Sequence, residues 1–490
     1  LDKGLDYTGP IEVKDTIALR ARAFIPGLQP SQPVTATYVM KTYFTLPVVA
    51  LVIEPDELWN NETGMLAAGL YEDGRPIDLT AYKTIPFRHP SPTYREHGKV
   101  RRPSYAEMFD TQSGKVVFSQ GTTMGLIGQY SLDMPQKSFK VVAKAALGTR
   151  YFDAPLFADR PFEQYKSFVL RVSGNDAVWT RMVDGVQSRL IDQLPDKHVI
   201  NQAWQPVIVY LNGQYWGHYN LRERVSRYFV AQHEGIPLED ADNMTIIEGG
   251  STRYYGSNAE WVAFRKKMNE SNPATNPEDL QYILDNVDVD SLFDWMALEM
   301  FFANTDSGNI RYYRVPGGKW RWIVFDMDYG LFIAANNGVR NILNPKGHGA
   351  NDDVDNSLFL KILENDQMRD KFLRRFGEIF QFSTTERMLA QVDESYNLLQ
   401  PEMTLHWERW APFNLKNIAF DLPQTADGAT RYWESRVERL RNVVRKRPRH
   451  CWVQAQEWFR LTDQQMLEYF GPKPAFPPEA DLNKDDRAIE

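Results

Sequence analysis

The sequence predicts an α+β fold of two lobes, rich in strands up to residue 225 and helical beyond it. Up to Glu223 the apolar residues alternate, or run in short blocks punctuated by glycine and proline, which is the signature of strands and turns. Farther on they recur at intervals of three and four, as in helices with one buried face. A third observation sets one hairpin: Asn212-Gly213, between the apolar runs 206–211 and 214–221, is a strong two-residue turn signal. A β-rich half followed by a helical half suggests two lobes flanking a cleft.

In chain order, 11–13, 17–24 and 34–40 read as strands, separated by turns at Gly9-Pro10 and Pro26-Gly27. The apolar run 46–53 opens the main β-rich lobe, and the Pro-, Gly- and charge-rich stretch from 54 to 105 reads as loop. Strands resume at 115–118. Gly121, Gly125 and Gly128 follow, and then a strand over 136–144 in which Lys137, Phe139 and Val141 share one face while Lys140 takes the other. Residues 179–194 have helical spacing through Met182, Val183, Val186 and Leu190, stopped by Pro195. Past the hairpin, helices are expected at 224–234, 259–269, 277–285, 290–303, 356–380, 384–398 and 428–460. The resulting division is 1–41 a partial β-sandwich segment, 42–225 the β-rich lobe, 226–470 the helical lobe and 471–490 an acidic, proline-rich tail. In that tail Asp481-Leu482-Asn483-Lys484-Asp485 has the oxygen spacing with which calcium loops begin. Asp486 stands where such a loop needs glycine, so a solvated tail is the expectation.

Composition narrows the function. A length of 490 residues exceeds one small core, and the net charge of −8 argues against a nucleic-acid binder, which needs a basic stripe. The single cysteine, Cys451, excludes an internal disulfide and a cysteine-based zinc site. No apolar run is long enough to span a bilayer. The chain opens Leu1-Asp2-Lys3 without an initiator methionine, so removal of an upstream segment such as a signal peptide is expected.

The chemistry concentrates in two polar clusters. Asn304-Thr305-Asp306-Ser307-Gly308-Asn309 precedes an alternating strand at 310–315, a turn at Pro316-Gly317-Gly318, and the apolar run 322–325, which ends in Asp326-Met327-Asp328. A hairpin of that register brings Asp306 and Asn309 near Asp326. Hard oxygen donors converging there suit Mg²⁺, which takes one or two carboxylates plus substrate phosphates. Phosphoryl transfer uses such parts: one aspartate to orient the attacking hydroxyl, an asparagine and a second aspartate to hold metal. Singly, each cluster is as well explained by turn formation. The histidine-arginine pair that usually precedes a kinase's catalytic aspartate is absent.

The segment 210–225, Tyr-Leu-Asn-Gly-Gln-Tyr-Trp-Gly-His-Tyr-Asn-Leu-Arg-Glu-Arg-Val, resembles the spore-coat CotH kinase family of atypical protein kinases. Three more blocks agree in order: Pro135 to Lys140, the two polar clusters, and 359–365 leading to 372–376. The resemblance spans about residues 45 to 450. It implies a divergent protein-kinase-like two-lobed fold, binding ATP with Mg²⁺ or Mn²⁺ and phosphorylating Ser or Thr of a protein partner. By position Asp306 matches the catalytic aspartate and Asp326 the metal aspartate. Asn309 matches a second metal ligand, and Asp328 either assists or caps the following turn. Lys137, with Lys140 as the alternative, fits the phosphate-pairing lysine. Gly128 and Ser131, after Gly121 and Gly125, occupy the place of a phosphate-covering loop, and Glu223 that of the nucleotide hinge. Asp184 and Gln187 are the candidates for the helix residue that anchors the lysine.

Residues 1–41 resemble the small Ig-like sandwich appended to bacterial chitobiases, entered partway through the domain. That flank and the abundant aromatics suit a secreted or cell-surface protein, associated with polysaccharide or coat. Two other functions follow from the same residues. One is a catalytically silent nucleotide-binding or carbohydrate-associated module, and the other is glycoside hydrolysis by a carboxylate pair that no spacing singles out.

Overall fold

Seven strands close into a barrel in the computed structural model, which describes residues 4–40, 44–69, 93–306, 308–344, 356–412 and 422–482. Around it the order is Trp204–Leu211, Gln214–Glu223, Ser167–Arg171, Phe139–Ala143, Val116–Leu126, Arg102–Phe109 and Val48–Val52. Pairings from Val48–Val52 through to Ser167–Arg171 are antiparallel, and closure comes where Val48–Val52 runs parallel to Trp204–Leu211. A closed sheet has no open edge. Val49, Leu51, Phe139, Val141 and Phe168 are fully buried in its core. The expected hairpin is there: Asn212 and Gly213 both have positive φ (50° and 77°), as a type I′ turn requires.

The chain divides into two compact units, one of residues 1–172, 205–222 and 398–431, the other of 173–204, 223–397 and 432–490. In the first, the barrel carries an antiparallel pair, Ile17–Ala21 with Val34–Tyr38. The backbone N–H of Thr37 donates to the buried Glu107 carboxylate of the barrel at 2.8 Å. In the second, a five-stranded sheet of order Ile200–Asn201, Arg321–Val324, Arg311–Arg314, Thr245–Glu248 and Thr252–Tyr255 packs with helices. Val289–Phe302 is buried on almost every side, as a helix apolar all round should be. Among the described residues, no helix is long and apolar enough to cross a membrane.

Several expectations are corrected. Residues 11–13 form no strand; among the described residues there, 17–21 and 34–38 are the ones that pair as strands. The stretch 54–105 is not all loop: it holds the helices Pro55–Trp59 and Thr93–His97 and the start of strand Arg102–Phe109. Gly121 and Gly125 lie inside strand Val116–Leu126 rather than in a loop. A Cβ on Gly121 would stand 1.8 Å from the Leu147 carbonyl oxygen, so glycine there serves a close backbone crossing. The strand at 136–144 begins at Phe139, which leaves Lys137 ahead of it. The helix expected over 356–380 is two, Ser357–Leu363 and Asp366–Phe382. Asn365 starts the second by accepting from the N–H groups of Gln367 and Met368. The one expected at 384–398 continues through Pro401 to Trp410. The region beyond 225 also contains the strands Thr245–Glu248 and Thr252–Tyr255. The tail is no free strand of chain up to residue 482: Asp481 and Asn442 exchange hydrogen bonds, and Arg449 donates to the Pro474 carbonyl. The remainder of the calcium-like motif, from Asn483, lies outside the described residues.

Candidate active site

The hairpin places the two polar clusters at one end of the sheet. Arg311 is opposite Ile323 and Tyr313 opposite Arg321, so Asn309, two residues before Arg311, and Asp326, three after Ile323, leave the sheet at the same edge. Asp306 and Asn309 form a local pair: Asn309 Nδ2 donates to Asp306 Oδ2 at 2.8 Å, and the Asn309 N–H donates to the Asp306 carbonyl. The amide nitrogen being used, Asn309 has its Oδ1 as the atom for an incoming cation. Asp306, Asn309 and Asp326 are all half-buried.

Three non-glycine residues near this edge have left-handed backbone: Ala303 (φ 53°), Asp326 (φ 60°) and Leu331 (φ 54°). Such conformations cost energy and persist only where surrounding contacts enforce them. Ala303 ends helix Val289–Phe302, its N–H bonding back to the helix. For Asp326 the constraint is its neighbour Met327, whose main chain is gripped on both sides. Gln187 Nε2 donates to the Met327 carbonyl at 2.7 Å, and the Met327 N–H donates to Asp184 Oδ1. Both gripping side chains lie on helix Val183–Asp192. Asp184 and Gln187, expected as partners of a lysine, are thus turned toward the Asp326 loop. Asp328 is 2% exposed, and its two oxygens accept from the backbone N–H (2.9 Å) and side-chain amide (3.2 Å) of Asn175.

Beneath the clusters lies Glu299, a residue that sequence reasoning missed. It is 2% exposed, on the last turns of helix Val289–Phe302. Burial pushes its carboxyl up to about 8. A hydrogen bond from Asn304 works against this, and the nearby charges of Asp306 and Asp326 add to it. Asn304 joins the parts: its Oδ1 accepts from the Asp306 N–H at 3.1 Å, and its Nδ2 meets Met327 Sδ at 3.6 Å. Among the described residues Glu299 Oε2 has no hydrogen-bond partner. The available signal was a lone acid in Met-Ala-Leu-Glu-Met-Phe-Phe; charged residues are almost never fully buried without a reason.

This donor set bears on the divalent metal and ATP that a kinase needs in general. Among the described residues no group of three or more His, Cys, Asp or Glu is arranged to hold a metal ion by itself. A Mg²⁺ site drawing on two carboxylates, an amide oxygen and substrate phosphates does not need one. Asp306 and Asp326, both felt at Glu299, and Asn309 are hard oxygen donors of that kind. The residues present fit the group.

The other expected site residues have definite places. Lys137 is 2% exposed in the barrel unit, its ammonium donating to the carbonyls of Leu132 (2.6 Å) and Met134 (3.0 Å) and lying 3.6 Å from the centre of the Tyr94 ring. Burial lowers its pKa to about 7, Asp133 works against this, and Arg95 adds to it. Lys140 is half-buried in strand Phe139–Ala143, opposite Gly125 and Val169. Gly128 has φ 121°, just past the strand that ends at Leu126, and Ser131 is in the 3-10 turn Tyr130–Asp133. Glu223, expected at the nucleotide hinge, is 2% exposed in the second unit; its carboxylate accepts from the Ala203 N–H at 2.8 Å and pairs with His233.

A search of curated proteins returned no match. The sequence model of the family described as CotH kinase protein matches residues 126–451, which takes in strand Phe139–Ala143, the hairpin at 212–213, both polar clusters and Glu299. That match covers well over half of the chain, which therefore belongs to the CotH kinase protein family.

Proposed function

We propose that this member of the kinase family transfers the γ-phosphoryl group of ATP to a Ser or Thr hydroxyl of a secreted or surface protein, in a divergent protein-kinase-like two-lobed fold. The observation that carries the reading is electrostatic. Asp306 and Asp326 leave a hairpin at the same edge, and both disfavour ionisation of Glu299 buried beneath them. A divalent cation bound beside these two carboxylates would offset the negative charge that they direct at the buried acid.

In this reading Asp306 accepts the proton of the attacking hydroxyl, and its hydrogen bond from Asn309 sets its direction. Asp326 and Asn309 Oδ1 would hold Mg²⁺ or Mn²⁺, which when bound neutralises charge on the nucleotide phosphates. Asp328 acts from behind through Asn175, keeping the loop in shape. Most of the rate enhancement then comes from orientation and charge, as phosphoryl transfer requires little covalent chemistry of the protein. For the barrel unit, Lys137 or Lys140 is proposed as a phosphate-pairing amine and Gly128 with Ser131 as a phosphate-covering turn. Lys137 would have to exchange its two carbonyl contacts for that role. Glu223 is proposed as a hinge support through its buried carboxylate.

Isothermal calorimetry of ATP with Mg²⁺ or Mn²⁺ tests the reading on wild type and Asp326→Ala. Metal-dependent binding to wild type and its loss in the folded variant are expected. Undiminished binding in the variant would remove Asp326 from the metal site. No binding to folded wild type with either metal would replace the kinase reading by that of a binding module. Phosphoamino-acid analysis of labelled acceptors then distinguishes Ser and Thr from other phosphorylated residues.

A further inference from the structure

Helix Val289–Phe302 runs straight into the Asn304–Asn309 segment, so whatever fixes the end of that helix fixes the start of the segment bearing Asp306. The last carbonyls of a helix have no partner within it and must find donors elsewhere. Here, besides the Ala303 N–H on the Met300 carbonyl, the donor is Arg447, fully buried on the long helix Ala426–Phe459. Its Nε donates to the Phe301 carbonyl (2.5 Å) and its Nη2 to the Met300 carbonyl (2.8 Å) and Gln454 Oε1 (3.2 Å). Its Nη1 donates to the carbonyls of Ala334 (2.9 Å) and Asn336 (2.8 Å), in the stretch that follows Asp326–Asp328. All five N–H groups of the guanidinium are used. Gln454 adds its own donations to the carbonyls of Ala335 and Asn336. The Leu331 N–H closes the arrangement on the Phe302 carbonyl at 2.7 Å.

We propose that Arg447 is a positioning residue for phosphoryl transfer, tying the helix end that leads into Asp306 and the stretch at 334–336 that follows the Asp326 loop to a single planar fork. The role rests on the kinase reading above. A cation at a helix C-terminus is favourable in itself, but a point charge would supply that. Only a rigid fork reaches four carbonyls of two separate segments at once, which makes lysine a poor replacement. The fork fixes the helix end before Asp306 against the stretch that leaves the Asp326 loop, and misplacement of reacting groups by an ångström is felt strongly in rate.

The test compares Arg447→Lys with Arg375→Lys. Arg375 is half-buried, and pairs with Asp294 near the middle of helix Val289–Phe302, with Glu378 and with the carbonyls of Pro195 and Asp196, rather than with the helix end or the 334–336 stretch. Both variants should lose melting temperature. In Arg447→Lys, kcat should fall on the order of 10- to 100-fold with KM for ATP within about twofold, and amide exchange should quicken over 303–306 and 331–336. Arg375→Lys should keep kcat and the exchange pattern of those segments. Arg447→Lys with wild-type kcat, or with losses equal to those of Arg375→Lys, overturns the proposal. If wild type transfers no phosphate, the kinase reading fails, and exchange alone decides whether Arg447 fixes the two segments. Arg447→Met serves as the stronger perturbation where it folds.

Discussion

Replacing Glu299 by glutamine should remove a large part of the protein's pH sensitivity while leaving its shape intact. The folded protein holds the Glu299 proton until about pH 8, whereas the unfolded chain releases it near 4.5. Below 4.5 both states carry the proton and the residue contributes nothing to the pH dependence. Between those limits the folded state binds more protons than the unfolded one, so stability falls as pH rises, by about 1.4 kcal/mol per pH unit. Across the interval from 4.5 to about 8 the loss approaches ~5 kcal/mol, a sizeable share of an ordinary domain's stability. Glutamine resembles the protonated acid in size and never ionises. The stability difference between Glu299→Gln and wild type should therefore start near zero at pH 5 and widen with each unit up to pH 8, then stay level. Guanidinium unfolding at a series of pH values, followed by the fluorescence of the buried Trp295 and Trp322, reads this difference directly. A bound divalent cation beside Asp306 and Asp326 should shift the ionisation downward and flatten the slope at neutral pH. A difference that does not change between pH 5 and 8 would refute the protonated buried acid.

Lys137 should show the opposite slope. Its folded pKa of about 7 lies below the ordinary 10.5, so between those values the unfolded chain holds more protons and stability rises with pH. Lys137→Met should abolish that rise in melting temperature between pH 7 and 10, and an unchanged pH dependence would mean that the ammonium is not buried. Calorimetry with ATP on Lys137→Met and Lys140→Met then decides which amine meets phosphate: the variant with weakened binding names it. Asn175→Ala removes the side-chain bond to Asp328 and leaves the backbone one, so a stability loss of about 1 kcal/mol is expected. Nucleotide binding should persist in that variant; its complete loss would make Asp328 a metal ligand in its own right.

The hairpin at the acid clusters was legible because strand alternation, a proline-glycine turn and an apolar run each point the same way there. The Asn212-Gly213 turn was legible for a similar reason, since few residues tolerate two successive positive φ values. The barrel was not. Gly121 and Gly125 imitate a loop, yet they stand in a strand because another piece of backbone crosses it, and no local pattern announces a crossing. Pro103 likewise hid the strand Arg102–Phe109. The pair Thr245–Glu248 and Thr252–Tyr255 escaped because four-residue strands give too few alternations to distinguish from helix.

The candidate site divides along the same line. Residues whose side chains can face a ligand, Asp306, Asn309 and Asp326, sit in loops with turn chemistry of their own, and a motif can name them. The residues that hold them do so through main-chain atoms: Gln187 and Asp184 on Met327, Arg447 on Met300, Phe301, Ala334 and Asn336. A carbonyl or N–H group is the same at every position, so these partnerships leave no spacing to read in the sequence. Of the buried polar side chains involved, Glu299 alone stands out in the sequence, as an acid in a largely apolar helix, whereas Gln187 and Arg447 lie in helices with many polar residues. Removing such a group strands its backbone partners without water, so each should cost more than the loss of a surface pair. The acidic edge of this sheet is therefore best regarded as a rigid frame built from buried polar side chains, into which two half-exposed aspartates are set.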